Sequence, residues 1–148
     1  MQVLDTAYKL IAYHEGLRLQ AYWDDEGKVW TIGYGHTGGV KQGDVWTAAQ
    51  AQNTLVADTN TAAVDALAVF GQDTWGNIDP TRQMALIDMS FNLGREKLSK
   101  FDTFIGFVRQ YDWTSAVADL AHTAWASELP RRFAHDSSIL TTGEPLNV

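Results

Sequence analysis

The sequence predicts an α+β fold that is mostly α-helical. Two strand-like runs with a short turn between them stand in the N-terminal third of the chain. Beyond about residue 45, apolar residues recur at helical spacing after residues that commonly begin helices. We therefore expect one domain, with a small β-containing lobe over about residues 1–45 and a larger helical lobe over about residues 46–148.

The first predicted element is a helix that Asp5 caps and Gly16 ends. Ala7, Leu10 and Ile11 recur at helical spacing between these two residues. Such a spacing gives the helix one apolar face.

A β-hairpin is predicted next. Its strands are the runs Arg18–Trp23 and Val29–Tyr34, and the acidic, glycine-containing segment 24–28 supplies the turn. A glycine-rich loop over residues 35–43 then leads to the helical part.

Four signals predict helix starts in the rest of the chain. Thr47 and Gln50 fit a capping box, and Asp79 stands before a proline at the first helical position. Asp112 can cap a further helix, and Pro130 is predicted to begin a last short helix.

Composition and charge exclude several functions. The net charge of −7 argues against binding nucleic acid through its phosphates, and the absence of cysteine excludes disulfides and thiolate zinc sites. The four histidines form no zinc-protease pattern, so we expect no metal or cofactor. The first ten residues predict no signal peptide, and no apolar run of about 18 residues predicts a membrane span.

A candidate acid stands at the end of the first helix. Glu15 follows Ile11 by four residues, so it lies on the apolar face in the last helical turn. Partial burial and the negative end of the helix dipole both disfavour its ionised form. A glutamic acid that keeps its proton near neutral pH is what a glycosidase uses to protonate the leaving oxygen.

The hairpin offers partners for this acid. Asp24 and Asp25 supply a second carboxylate, and Thr31 supplies a hydroxyl that helps to hold a water. Carboxyl groups about 6.5–9.5 Å apart leave room for a water and give inversion, whereas a spacing of about 5 Å gives retention. Taken singly, each of these residues is more often an ordinary turn, strand or surface residue.

The whole segment resembles the active-site signature of the T-even-phage lysozyme family, glycoside hydrolase family 24. The matching residues are Glu15-Gly16, Tyr22-Trp23-Asp24 and Thr31-Ile-Gly-Tyr-Gly-His36. Later segments are also similar to the family: Ala85–Gly94 to its central buried helix, Trp113–Asp119 to a later helix, and Trp125–Arg132 to its Trp, Pro and Arg segment. The resemblance covers roughly the whole chain.

The resemblance implies a lysozyme-like fold with a cleft between the lobes and hydrolysis of peptidoglycan glycan strands. It makes Glu15 the general acid, Asp24 the carboxylate that activates water, and Thr31 the third member of the site. It also implies that four residues line the saccharide cleft, which are Thr37, Phe91, Phe104 and Asp119. Arg132 is grouped with these substrate-binding residues and falls where an arginine of the family reaches toward the acid. It further implies a monomer that stays in the host bacterial cytoplasm until it is released to the periplasm and wall.

Three departures from the family pattern stand out. Six residues separate Asp24 from Thr31 where the family has five, so the spacing leaves Asp25 open as the functional aspartate. His14 and His135 occupy positions where an acidic and basic pair is more usual. The chain is also acidic, whereas the better-known members are basic.

Two other functions remain open at the level of sequence. A lytic transglycosylase cleaves the same bond without water, and the Asp24 and Thr31 pair argues against it. A wall-binding module without activity has no need for a buried acid. The Gly33–Gly38 match to a dinucleotide-binding motif, with Asp58 twenty residues further, lacks the helix and parallel strand that such a fold needs.

Overall fold

The computed structural model describes residues 1–148 and is 60% helical, with two small antiparallel sheets. The predicted α+β, mostly α class is confirmed. The helices are α1 (Ala7–Glu15), α2 (Ala48–Phe70), α3 (Gln72–Gly76), α4 (Pro80–Leu93), α5 (Arg95–Leu98), α6 (Asp102–Arg109), α7 (Trp113–Leu120), α8 (Ala124–Glu128) and α9 (Pro130–Thr142). The strands are β1 (Val3–Leu4), β2 (Arg18–Asp24), β3 (Val29–Gly33) and β4 (Leu146–Asn147).

The first helix begins one residue later than the sequence predicted. Thr6, not Asp5, is the N-cap, because its side chain accepts a hydrogen bond from the backbone N–H of Lys9 at 3.3 Å. Asp5 instead forms an exposed ion pair with the Lys9 ammonium group at 2.8 Å. The predicted end is correct, since the Gly16 N–H donates to the carbonyl of Ala12.

The hairpin is confirmed within one residue at the end of each strand. β2 and β3 pair antiparallel, with Tyr22 opposite Thr31 and Asp24 opposite Val29. Paired residues of an antiparallel ladder point to the same face, and alternate residues of a strand share a face. The register therefore places these four side chains on one face of the hairpin.

The predicted helix starts are also confirmed. Thr47 and Gln50 form the complete capping box of α2, and Asp79 and Asp112 accept hydrogen bonds from the first turns of α4 and α7. Pro130 occupies the first position of α9. That helix was expected to be short, but it runs for 13 residues until Gly143 ends it in the left-handed conformation.

The main hydrophobic core lies among the helices, and the N-terminus contributes to it. Leu4 of β1 and Leu10 of α1 are fully buried in the same cluster as Leu86 and Met89 of α4. β1 also pairs with β4, so the two ends of the chain meet. The segment before the hairpin thus packs with the helical lobe rather than with the small one. None of the helices combines the length and the hydropathy needed to cross a bilayer.

Candidate active site

Glu15 ends α1 at the edge of a pocket of about 280 Å³ between the hairpin and α4. Its side chain is 20% exposed. The pocket is lined by Glu15, Tyr22, Asp24, Gly27, Val29, Thr31, Gly35, Thr37, Phe91 and Asn92. The fold therefore brings the three predicted catalytic residues to a single pocket.

A glycine of the loop after β3 lies directly against the acid. Gly35 has a φ of 76°, and a Cβ atom built on it would lie 2.8 Å from Oε2 of Glu15. That separation is shorter than van der Waals contact, and L residues rarely adopt this φ. Gly35 thus lets the loop close over Glu15, which gives the glycine-rich motif a role that involves no nucleotide.

The opposite side of the pocket is the inner face of the hairpin. Tyr22, Asp24 and Thr31 all line it, as their shared face requires. Burial raises the pKa of the Tyr22 hydroxyl, and the nearby carboxylates of Glu15 and Asp24 raise it further. The charges of both carboxylates thus act on the Tyr22 hydroxyl. The Thr31 side chain is almost fully buried, and its hydroxyl donates to the carbonyl of Val29 at 3.4 Å.

The structure distinguishes the two adjacent aspartates of the hairpin. Asp24 is half-buried and lines the pocket, whereas Asp25 is exposed in the turn and does not line it. Asp24 also accepts a hydrogen bond from the backbone N–H of Glu26 at 3.2 Å, which is ordinary turn chemistry for an aspartate. This geometry favours Asp24 as the second carboxylate.

A buried cation stands behind the acid. Nη1 of Arg132 donates to Oε1 of Glu15 at 2.8 Å, and the Arg132 side chain is only 8% exposed. A guanidinium at this distance favours the ionised form of a carboxylate, which opposes the burial and dipole effects expected from the sequence.

The same guanidinium is held by a second carboxylate. Nε and Nη2 of Arg132 donate to the two oxygens of Asp88 at 2.9 and 2.8 Å, and Asp88 has no exposed surface. Burial alone would raise the pKa of Asp88, but Arg132 and His14 outweigh it and hold the pKa below its usual range. Burial likewise opposes the charge of Arg132, and Asp88 and Glu15 more than offset that effect, so its pKa is raised. The resemblance implied an arginine that reaches toward the acid at Arg132, and the contact of Arg132 with Glu15 has this geometry.

The two histidines extend this network toward the surface. Nδ1 of His14 lies 3.1 Å from both oxygens of Asp88, and Nε2 of His14 lies 2.9 Å from Nδ1 of His135. A carboxylate can only accept, so His14 donates its Nδ1 proton to Asp88, and its other ring nitrogen shares a proton with His135. Burial, followed by the neighbouring His14, lowers the pKa of His135.

A second concavity of about 250 Å³ continues the pocket along α2 and α4. Thr37 and Phe91, two of the predicted substrate-binding residues, line both concavities and so connect them. His36 holds the loop in place, because Nδ1 lies 2.6 Å from the Asp58 carboxylate and Nε2 donates to the Gly38 carbonyl at 2.9 Å. These two contacts give His36 a structural role in the loop.

Two predicted cleft residues lie elsewhere. Phe104 is fully buried in the hydrophobic core, where its ring packs edge-on against Phe70, so it has no surface for a sugar. Asp119 is half-buried on α7, which packs on α6 and α9, and it lines neither concavity. The prediction that Phe104 contacts substrate is therefore wrong, whereas that for Asp119 stays a prediction. Both came from the resemblance, which aligns positions along the chain without showing which helix face meets the core.

The tryptophans of the helices and of the hairpin lie in different surroundings. Trp125 is buried, and its indole N–H donates to Oδ1 of Asn92 at 2.8 Å. Trp23 and Trp30 pack edge to face as a cross-strand pair. Since they alternate with Tyr22 and Thr31, they lie on the outer face of the hairpin and do not line the pocket.

Sequence reasoning missed three residues around the acid. Tyr22 could have been found, because it stands two residues before Asp24 and so shares its strand face. Asn92 and Asp88 gave no local signal, because both lie on α4, which the resemblance made the central buried helix. Each contacts its partner only after the helices pack. The Trp125 and Asn92 hydrogen bond, for example, joins residues 33 apart in the chain.

Comparison with known proteins agrees with this geometry. The profile of the phage lysozyme family matches residues 12–132, a range that includes Glu15, both hairpin strands and Arg132. The chain is 24% identical to a probable T4-type lysozyme of Dictyostelium discoideum over 90% of this chain and 92% of that protein.

Two phage proteins are also similar. An endolysin of Acyrthosiphon pisum secondary endosymbiont phage 1 is 38% identical over 64% of this chain and 61% of its own length. The pre-baseplate central spike protein Gp5 of Enterobacteria phage T4 is 27% identical over 91% of this chain, which corresponds to 27% of the spike protein. The chain belongs to the phage lysozyme family, and is a lysozyme-type hydrolase that lyses peptidoglycan.

Proposed function

We propose that this lysozyme cleaves the β-1,4 bond between N-acetylmuramic acid and N-acetylglucosamine, and that it does so by inversion. The observation that carries the proposal is the shared pocket, in which Glu15 on one side faces Asp24 and Thr31 on the other. Its continuation past Thr37 and Phe91 gives a polymeric glycan a path along α2 and α4.

In the proposed reaction Glu15 is the general acid. Its carboxyl group is anchored at Oε1 by Arg132, while the pocket side of the carboxyl group gives its proton to the glycosidic oxygen. The bond from that oxygen to the anomeric carbon then breaks, and positive charge develops on the sugar ring. The carboxylate of Asp24 stabilises this charge from the hairpin side.

Water completes the reaction from the hairpin side. Thr31 is nearly buried beside Val29, so its hydroxyl has a fixed place at the pocket wall. We assign this hydroxyl to orient a water, and Asp24 to accept the proton as the water oxygen bonds to the anomeric carbon. Because water attacks the face opposite the leaving oxygen, the product has the inverted configuration.

Mass spectrometry of purified peptidoglycan digested with the protein tests the bond. We expect reducing N-acetylmuramic acid ends. Anhydro ends would indicate a lytic transglycosylase instead, and released peptides an amidase. Binding without any product would indicate an inactive wall-binding module.

Proton NMR of an early digest of a soluble oligosaccharide tests the stereochemistry. The β-linked substrate should give an α-configured reducing sugar first, before mutarotation. A β product at the earliest times would contradict the water-activation mechanism and favour a covalent intermediate on Asp24.

The biological role that fits best is lysis of the host cell. The similarity to phage endolysins supports it, while the similarity to the spike protein leaves a role in entry as the alternative. In the lytic role the protein acts as a monomer and waits in the host cytoplasm until it reaches the wall. Timed inactivation of its gene during infection separates the roles, because loss of a lysis enzyme blocks burst and loss of an entry enzyme blocks infection.

A further inference from the structure

The proposed mechanism does not by itself explain how Glu15 keeps its proton beside a buried cation. A general acid must carry its proton, yet Arg132 lies 2.8 Å from it and favours the ionised carboxylate. Without another anion nearby, Glu15 itself would have to be ionised to neutralise Arg132. The acid therefore needs a second anion beneath the guanidinium.

Asp88 has the geometry of that anion. It receives two of the three guanidinium hydrogen bonds, at 2.8 and 2.9 Å, whereas Glu15 receives one. Asp88 is fully buried, so water does not screen its interaction with Arg132. We propose that Asp88 is a positioning residue that neutralises Arg132 and so leaves Glu15 free to hold the proton it donates. This inference rests on the proposed role of Glu15 as the general acid.

The other groups around Asp88 leave this balance intact. His14 donates from Nδ1 to the Asp88 carboxylate and so adds a further hydrogen bond to the anion. Asp136 is fully buried, and one of its oxygens lies within 4.8 Å of the Asp88 carboxylate. Burial, followed by the charge of Asp88 and a hydrogen bond with it, raises the pKa of Asp136 well above the usual range. This shift favours the neutral acid at Asp136 over a second anion beside Asp88, and Asp88 is the carboxylate that receives the guanidinium of Arg132.

The remaining charged and titratable groups lie at the edges of this network. Arg131 donates to the Tyr13 hydroxyl at 2.6 Å, and its charge helps to lower the pKa of His135 at the outer end of the network, after burial and His14. Asp24 and Tyr22 face Glu15 from the hairpin. Neither group contacts Asp88, so the charge balance beneath Glu15 is set within α1, α4 and α9.

A divalent cation is a poorer explanation of the same cluster. Atoms of His14, Asp88 and Asp136 come within 4.8 Å of one another, as ligands do. However, the Asp88 oxygens already accept from Arg132 and His14, and the guanidinium supplies the positive charge. A second cation beside it would meet repulsion at close range.

The pH profile of kcat/KM for Asp88→Asn, measured on a soluble glycan oligomer, tests the proposal. Removing the anion leaves Arg132 to be neutralised by Glu15, which should then lose its proton at lower pH. The alkaline limb of the profile should move down by about one pH unit or more, so activity on the alkaline side of the wild-type optimum falls by about tenfold for each unit and recovers in more acidic buffer. A loss of equal size at every pH, with the limb unmoved, would mean that Asp88 is only structural.

Asp136→Asn is the matched control, since it replaces a buried carboxyl group of the same cluster by an amide. The raised pKa of Asp136 already favours its neutral form. The alkaline limb of the kcat/KM profile of Asp136→Asn should therefore coincide with that of the wild type. A limb that moved equally in both variants would overturn the assignment of the anion to Asp88.

Carboxyl ¹³C NMR keeps the proposal testable independently of activity. In the wild-type protein, the Asp88 signal should be that of a carboxylate, and the Asp136 signal that of a protonated acid, at pH 7. A protonated Asp88 would overturn the proposal even if Asp88→Asn fails to fold. With five glutamates in the chain, Glu15 can be assigned through Glu15→Gln, and its titration should move to lower pH in Asp88→Asn. If Glu15 titrates so but Glu15→Gln stays active, the acid role fails and the charge balance stands.

Discussion

The two sides of the pocket hold their carboxylates in different ways. Glu15 is fixed from behind by Arg132, which is itself fixed by the fully buried Asp88. Asp24 lies on a hairpin strand next to an exposed turn, and its side chain accepts from one backbone N–H, that of Glu26. The acid side is thus controlled by buried charges, whereas the hairpin side is controlled by strand register. The acid side should be sensitive to any change of charge, and the hairpin side to which residue faces inward.

The largest effect is expected on the acid side. Glu15→Gln removes the donated proton while the amide oxygen still accepts from Arg132, so the fold should persist. General acid catalysis contributes about 10²–10⁴-fold, and turnover on peptidoglycan should fall by that factor. Circular dichroism would establish that the variant is folded. Activity within tenfold of the wild type would remove Glu15 from its role.

The hairpin side is tested by substituting each of its two adjacent aspartates. Asp24→Asn should cost orders of magnitude in kcat, because the amide cannot take a proton from water, although it can still accept from Glu26. Asp25→Asn is the matched control and should have little effect, since Asp25 is exposed and lies outside the pocket. Equal losses would mean that the turn supplies only a general negative potential.

The contact between the two sides is tested at Gly35. Gly35→Ala forces Cβ to within 2.8 Å of Glu15 at a φ of 76°, so the loop or the acid must shift. A shift of about 1 Å in a reacting group can cost on the order of 10²-fold in rate. Gly39→Ala is the control, because Gly39 has a φ of 72° but no atom within 4 Å of its Cβ position. Both variants should lose stability of about 1–2 kcal/mol, and only Gly35→Ala should lose most of its activity.

A smaller effect, on stability, is expected from the buried acid Asp136. The pKa of Asp136 is raised in the folded state, so its contribution to stability is present below the pKa of the unfolded chain and is lost as pH rises. Asp136→Asn removes this dependence. Its Tm should match that of the wild type near pH 4 and exceed it at pH 7. A variant that is less stable at pH 7 would indicate that Asp136 is an ionised, paired group.

The smallest effect concerns the encounter with the wall. The chain carries a net charge of −7, and an acidic wall repels it over a Debye length of about 30 Å at 0.01 M salt but only about 8 Å at 0.15 M. The rate of wall lysis should therefore rise across this range. A steady fall with salt would mean that a local basic patch governs the encounter.

The sequence alone determined the local features of this lysozyme. The capping box at Thr47, the Asp79 cap and the hairpin around residues 24–28 were all predicted, because they depend on interactions within a few residues of the chain. The choice of Thr6 over Asp5 was missed, since both are good caps and Lys9 draws Asp5 into an ion pair.

Only the tertiary structure decided how the acid is supported. Asp88 meets His14 across 74 residues and Arg132 across 44, and no local pattern marks a buried aspartate for those partners. The same limit applies to Phe104, which the resemblance placed in the cleft and helix packing buries in the core. Periodicity tells which residues share a helix face, but the packing of α1, α4 and α9 decides which faces meet. The charges behind Glu15 come together through that packing.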